Sequence, residues 1–87
     1  MMMRYGNRSG NSGVIAYEIK RDRIRVKFVD GAIYTYTYRS AGRGNIECMK
    51  TLARSGKGLS GFISTHVKDR YSAKHKMTNE ADVEMGQ

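Results

Sequence analysis

Three consecutive runs of alternating polar and apolar residues constrain the fold of this chain more than any other feature. They are GVIAYEIK at 13 to 20, RIRVKFV at 23 to 29 and AIYTYTY at 32 to 38. A period of two is typical of strands with one buried face. Asp30-Gly31 is a strong signal for a tight hairpin turn, and Arg21-Asp22 is a weaker one. Residues 13 to 38 are therefore predicted to form a three-stranded antiparallel meander.

The two turns predict the register of the strands, and the register decides which face each side chain occupies. With a two-residue loop at Arg21-Asp22, the opposed pairs are Ile19–Ile24, Tyr17–Val26 and Ile15–Phe28. With a two-residue loop at Asp30-Gly31, the aliphatic face pairs Phe28–Ile33, Val26–Thr35 and Ile24–Thr37. The other face then pairs Lys27–Tyr34, Arg25–Tyr36 and Arg23–Tyr38. One predicted face is aliphatic, and the other alternates cations with tyrosine rings.

The row formed by Tyr34, Tyr36 and Tyr38 has three interpretations. On an open face, the rings are a platform on which bases stack while Arg23, Arg25 and Lys27 meet phosphates. Alternatively, the rings and cations only pack against each other across the strands. A register slip of one residue, or helices on the other side, would bury the row instead. The first interpretation predicts a nucleic-acid-binding surface.

After the predicted meander, the hydrophobic period changes from two to between three and four. Ile46, Met49 and Leu52 predict an amphipathic helix over about 45 to 54, and Phe62, Ile63 and Val67 predict a second one over about 60 to 70. The predicted fold class is α+β, with two short helices packed on one face of the sheet. A flexible arm is predicted at 1–12, and a flexible tail with an acidic end at 72–87.

The net charge of the chain indicates the class of partner that it binds. Among 87 residues, 16 Lys and Arg face 8 Asp and Glu, which gives a formal net charge of +8. Such an excess favours nucleic acid or another polyanion. No long apolar run or leader is present, and the single Cys48 forms no internal disulfide, so a cytoplasmic protein that does not enter membranes is expected.

Further basic residues follow the predicted strands. The segment ARSGKGLSG at 53 to 61 is a glycine-rich turn before a helix, where Arg54 and Lys57 are close to backbone amides that can hold a phosphate. The alternative is a plain connector between helices. Lys68 begins another basic run. The two histidines and Cys48 are too few and too scattered for a zinc site. Glu18 and Glu47 are the only Glu of the predicted folded region and Cys48 is interpreted as a packing residue, so no metal, cofactor or enzymatic activity is predicted.

Several short motifs resemble those of the KTSC domain family. They are SGxS at 9 to 12, IAYE at 15 to 18, IxVxFxDG at 24 to 31, YxY at 34 to 36, AxSxxG at 53 to 58, FI at 62 to 63 and VKDRY at 67 to 71. The family is named for the C-terminal domain of some lysyl-tRNA synthetases, and the resemblance implies RNA binding. It identifies Tyr34 and Tyr36 as the motif tyrosines and Lys68 as the lysine of the terminal helix. Tyr38 and the loop RSAGRG at 39 to 44 depart from the pattern.

Two functional hypotheses follow. The first is a module that binds single-stranded RNA or DNA, with tyrosines stacking bases and cations contacting phosphates. Its predicted site residues are Tyr34, Tyr36, Tyr38, Arg23, Arg25, Lys27, Arg54, Lys57 and Lys68. The second is a small protein-binding or inhibitory module that uses the same face on an acidic protein surface. The expected oligomeric state is a monomer or a weak homodimer.

Overall fold

A computed structural model of the chain describes residues 2–8, 10 and 12–76, and it has an α+β fold with an antiparallel sheet. The sheet has five strands that neighbour one another in chain order. They are β1 (Met3–Arg4), β2 (Val14–Lys20), β3 (Arg23–Phe28), β4 (Ala32–Thr37) and β5 (Ala73–Lys76). The predicted three-stranded meander is β2 to β4. The two outer strands come from segments for which the sequence predicts an arm and a tail; the acidic end, 77–87, lies outside the described residues.

Short helices follow β4. They are α1 (Tyr38–Ala41), α2 (Arg43–Ser55) and α3 (Leu59–Phe62), and α3 continues into a π-helical turn, Ile63–Val67. Thr37 caps α1, since its hydroxyl accepts a hydrogen bond from the Ser40 N–H at 3.0 Å. Gly56 ends α2 in the left-handed conformation, with φ 75°. The predicted first helix is thus confirmed as α2, whereas the predicted second helix divides into α3 and the π-helical turn.

The β2–β3 hairpin has the predicted register except at its open end. Ile19 lies opposite Ile24 and Tyr17 opposite Val26, but Phe28 faces Val14 because the register shifts between Val14 and Ala16. An extra residue in one strand is a β-bulge, and the bulge leaves the residue at 15 without an opposed partner. Ile15 is therefore 39% exposed, and its predicted place in the core was wrong.

The β3–β4 hairpin is offset by one residue from the prediction. Tyr34 lies opposite Val26 and Tyr36 opposite Ile24. Three residues separate β3 from β4, and the last of them, Gly31, has φ 91°, as in a turn closed by a glycine bulge. Its N–H donates to the Phe28 carbonyl at 2.9 Å. Because side chains alternate along a strand, this one added loop residue moves both tyrosines to the aliphatic face.

The core lies between that face and the helices. Its sheet residues include Tyr17, Ile24, Val26 and Tyr36, and the helices contribute Ile46, Met49, Ala53, Leu59, Ile63 and Val67. The N-terminal segment belongs to the core as well, because Tyr5 is only 4% exposed and its hydroxyl accepts a hydrogen bond from the Leu59 N–H at 3.2 Å. Within the described residues, no helix is both long and apolar enough to cross a bilayer.

Candidate nucleic-acid interface

The sheet face opposite the helices is strongly basic. Strand register places five cations and one carboxylate on it: Arg4, Lys20, Arg23, Arg25, Lys27 and Glu18. We call this surface the basic face. The opposed β4 residues are Thr37 at Arg23, Thr35 at Arg25 and Ile33 at Lys27. Arg23, Arg25 and Lys27 therefore share a face as predicted, but their neighbours on β4 are two threonines and an isoleucine.

Two of these cations have acidic neighbours. Arg25 donates to the Glu18 carboxylate at 3.1 Å, and Arg23 donates to the Asp22 carboxylate in the β2–β3 turn, also at 3.1 Å. The hydrogen bond from Arg23 lowers the pKa of Asp22 below its ordinary value. The Arg23–Asp22 pair is exposed and contributes little stability because water screens it, whereas the Glu18 side chain of the other pair is largely buried. These pairs orient the guanidinium groups, and the face keeps an excess of positive charge.

The predicted row of three tyrosines does not form. Tyr34 is half-buried and Tyr36 is only 1% exposed, both on the helix-covered face. Tyr38 has left the sheet, because Thr37 caps the helix that Tyr38 begins. The predicted pairs Lys27–Tyr34, Arg25–Tyr36 and Arg23–Tyr38 were therefore wrong. No tyrosine from β4 lies on the basic face, so base stacking on that face has no support from the register.

Tyr38 instead joins β4 to α2. Its hydroxyl donates a hydrogen bond of 2.6 Å to the Glu47 carboxylate. This hydrogen bond, together with one from Lys50, lowers the pKa of Glu47. Lys50 is 6% exposed and donates to the Glu47 carboxylate at 2.9 Å and to the Arg21 carbonyl at 2.7 Å. Its ammonium group also lies 5.5 Å from the centre of the Tyr38 ring. This cluster holds α2 against the β2–β3 turn, which gives Tyr38 a structural role.

The other predicted site residues lie on three separate elements. Arg54 is exposed in the last turn of α2, Lys57 is exposed in the connection to α3, and Lys68 is exposed directly after the π-helical turn. Gly56 and Gly58 have φ 75° and 82°, so the glycines end α2 and turn the chain into α3. This geometry is that of a plain connector between two helices. Phosphate binding by Arg54, Lys57 and Lys68 stays a prediction.

An aromatic pocket that sequence reasoning missed lies on the helix-covered side of the sheet, at the end with the β3–β4 loop. We call it the aromatic cleft; its volume is about 490 Å³ and four rings line it: Phe28, Tyr34, Tyr36 and Tyr71. Tyr71 meets Tyr34 edge-to-face at 4.9 Å between ring centres, and Phe28 meets Tyr34 in the same way at 5.4 Å. Tyr34 and Tyr36 are nearly parallel, at 6.3 Å. The tyrosine motif and the VKDRY motif of the sequence thus meet in space.

Charged groups surround these rings. Lys68, Asp30 and Asp69 line the cleft, and the Lys74 ammonium group lies 5.2 Å from the centre of the Tyr34 ring. A hydrogen bond with Tyr34 raises the pKa of Lys74. Burial raises the pKa of the Tyr36 phenol, whose hydroxyl donates a long hydrogen bond of 3.5 Å to the Lys68 carbonyl. The cleft therefore combines an apolar aromatic lining with cations and acceptors.

No cluster of three or more potential metal ligands occurs among residues 2–8, 10 and 12–76. Comparison with protein-family models, with curated proteins and with solved structures finds no match to the chain. The resemblance to KTSC domains consequently stays a prediction.

Proposed function

We propose that this protein binds single-stranded nucleic acid, RNA or DNA, by contacting its phosphates with the basic face. The observation that carries the proposal is the clustering of five Lys and Arg side chains with one carboxylate on the sheet surface opposite the helices. On a chain with a formal net charge of +8, this surface attracts a polyanion. The buried side chains of the helices pack on the opposite side of the sheet, which favours access to this one.

The chemistry of the face favours contacts to the backbone of a nucleic acid over contacts to its bases. Arg and Lys are the principal phosphate ligands in proteins, and threonine hydroxyls contribute further contacts. Thr35 lies opposite Arg25 and next to β5, so its hydroxyl extends the row of groups that can contact phosphates toward that strand. The tyrosines of β4 lie on the other side of the sheet. We therefore expect binding to this face that depends strongly on salt and only weakly on base sequence.

The test is a fluorescence anisotropy titration of labelled single-stranded RNA and DNA oligomers at several salt concentrations between about 50 and 200 mM. The test variant carries Arg23→Gln, Arg25→Gln and Lys27→Gln. If each removed cation neutralises one phosphate, the slope of log affinity against log salt falls by about two, since each contact to a single strand contributes about 0.7. The affinity at the lower salt concentration falls as well.

A second variant has the same charge change and serves as the matched control. It carries Arg8→Gln, Arg39→Gln and Arg43→Gln, three exposed positions outside the basic face. We expect this variant to retain most of the wild-type slope. Equal losses in the two variants would show a general effect of net charge and contradict a localised site. No oligonucleotide binding, together with binding to an acidic protein, would favour the protein-binding alternative.

A further inference from the structure

The proposed function leaves the aromatic cleft unexplained. Its lining includes Tyr71, a half-buried residue whose ring meets Tyr34 edge-to-face. The volume of about 490 Å³ lies within the range of about 300 to 1,000 Å³ that is usual for small-ligand sites. Such sites are mainly apolar and contain a few polar groups that orient the ligand. The cleft has this composition.

The cation that already lies over Tyr34 favours one of two kinds of aromatic-binding ligand. Aromatic rings bind either cations or other planar rings. The cation position over Tyr34 is already occupied by the Lys74 ammonium group at 5.2 Å, and Lys68 adds a second positive charge at the lining. A cationic ligand would have to displace the Lys74 ammonium group from the Tyr34 ring, and the acidic residues Asp30 and Asp69 in the lining do not remove that competition. A planar ring that carries a phosphate fits, because the ring packs on the tyrosines and the phosphate meets the lysines.

Nucleobases also match the acceptors in the cleft. Asp30 and Asp69 line the cleft, and the Asp30 carboxylate accepts a hydrogen bond from the Ala32 N–H at 3.0 Å. Because a carboxylate has several acceptor sites, both residues can still accept from the exocyclic amino or ring N–H groups of a base. Unstacked bases of single-stranded RNA are commonly recognised by stacking on tyrosine together with hydrogen bonds to their edges. The occupant with the best match is therefore one nucleotide whose base has left the stack.

The cleft adjoins one end of the basic face, the end at which β3 meets the β3–β4 loop, whereas Lys20 and Arg23 lie at the other end. Lys27 on the basic face and Phe28 in the cleft are consecutive residues of β3, and Thr35 and Tyr34 are consecutive on β4. On β5, Lys74 lies opposite Tyr34 on the cleft side, whereas Ala73 lies opposite Thr35 on the other side. β5 is the last strand of the sheet. A nucleic-acid strand on the basic face would have to pass around this edge to reach the cleft.

The π-helical turn shapes the remaining wall. It gives the cleft Ile63 and Ser64 and leads directly into Lys68, whose N–H closes the turn on the Ile63 carbonyl. Single π-helical turns are frequent at functional sites. We propose that the aromatic cleft binds one unstacked base of the nucleic acid held on the basic face, with Lys68 and Lys74 at its phosphate. This inference rests on the proposed function.

The experiment compares two single-stranded oligomers of equal length and charge, one carrying bases and one built from abasic sugar-phosphate. Stacking of a base on a tyrosine is expected to make the base-carrying oligomer bind roughly tenfold more tightly to the wild-type protein. In Tyr71→Leu the ratio of the two affinities should fall toward one, while the affinity for the abasic oligomer stays unchanged. In Phe62→Leu, a half-buried aromatic residue outside the cleft lining, the preference should persist.

A second measurement needs no variant. An oligomer that carries one fluorescent base analogue, 2-aminopurine, should lose fluorescence on binding to the wild-type protein if that base stacks on the tyrosines. Equal affinity for both oligomers and unchanged fluorescence would overturn the base pocket. The proposed function would survive that result, provided that Arg23→Gln, Arg25→Gln and Lys27→Gln still weaken binding of the abasic oligomer. Absence of binding by either oligomer would overturn both proposals.

Discussion

The two faces of β3 and β4 are made by alternate residues of the same strands, yet they have opposite characters. One face carries Ile24, Val26 and Tyr36, each at most 1% exposed beneath the helices. The other face carries the cations of the basic face, two half-buried threonines and, at the end with the β3–β4 loop, the buried Ile33. On the covered face each side chain is constrained by packing. At the cations of the basic face the main constraint is charge, so binding can change at those positions with little loss of stability.

The largest expected difference between the faces is in how far an alanine substitution lowers the free energy of unfolding. Tyr36→Ala removes a fully buried ring and should lower the free energy of unfolding by about 3 to 5 kcal/mol, the usual range for an aromatic residue replaced by alanine in a core. Thr35→Ala alters the neighbouring residue on the basic face and should cost less than about 1 kcal/mol. Urea denaturation followed by circular dichroism measures both values.

The same pair of variants also tests the register. The mirror-image result, in which Thr35→Ala is costly and Tyr36→Ala is tolerated, would place the tyrosines on the open side. It would restore the stacking platform expected from the sequence. Similar costs for the two variants would mean that neither face is preferentially buried.

Local patterns predict the elements of this fold well. Alternation marks β2, β3 and β4, and the spacing of Ile46, Met49 and Leu52 marks α2. β1 and β5 have no such signal, because each is short and is held by pairing with an outer strand of the meander. Strands of this kind follow from tertiary contacts and not from residue pattern. The π-helical turn likewise has no recognised signature in the sequence.

The candidate site was harder to predict, because it depended on one residue in one loop. Asp30-Gly31 is a strong two-residue turn signal, but Val29 also belongs to the loop, and the glycine closes a bulge. Both loop lengths suit a glycine with positive φ, so the residues alone do not decide between them. The cations on β3 were placed together correctly, since alternation within one strand does not depend on the loop. The tyrosines were not.

An intermediate effect is expected at the glycine that closes this loop. Gly31 has φ 91°, and Gly31→Ala should lower the free energy of unfolding by about 1 to 2 kcal/mol because a side chain is disfavoured there. Gly44→Ala is the matched control. Gly44 lies in α2, and the position that a Cβ would take there is open, so alanine should raise stability by about 0.5 to 1 kcal/mol. Thermal unfolding shows whether each variant is less or more stable than the wild-type protein.

If Gly31→Ala is neutral, the loop tolerates another conformation and the register is not fixed by the glycine. The faces would then be assigned by burial alone. A variant that combines Gly31→Ala with Tyr36→Ala distinguishes these cases. Costs that add indicate independent contributions of loop and core, whereas a combined cost below the sum indicates that both act on the same register.

The smallest expected effect at neutral pH belongs to the buried hydroxyl of Tyr36. Tyr36→Phe keeps the ring and loses only the long hydrogen bond of 3.5 Å to the Lys68 carbonyl, so its cost near neutrality should be below about 1 kcal/mol. Burial raises the pKa of the Tyr36 phenol above its ordinary value of 10.0, and the folded state therefore favours the protonated form. This contribution is fully present below pH 10 and is lost as the pH rises beyond it.

Above pH 10 the wild-type protein should thus lose stability faster than Tyr36→Phe, and the two free energies of unfolding should converge or cross. Deprotonation of lysines and of the other tyrosines affects both proteins alike, so the difference between the two curves isolates the Tyr36 hydroxyl. Urea unfolding at a series of pH values measures that difference. Parallel curves would show that the Tyr36 phenol ionises as freely as an exposed one, and the aromatic cleft would then be open to water at its base.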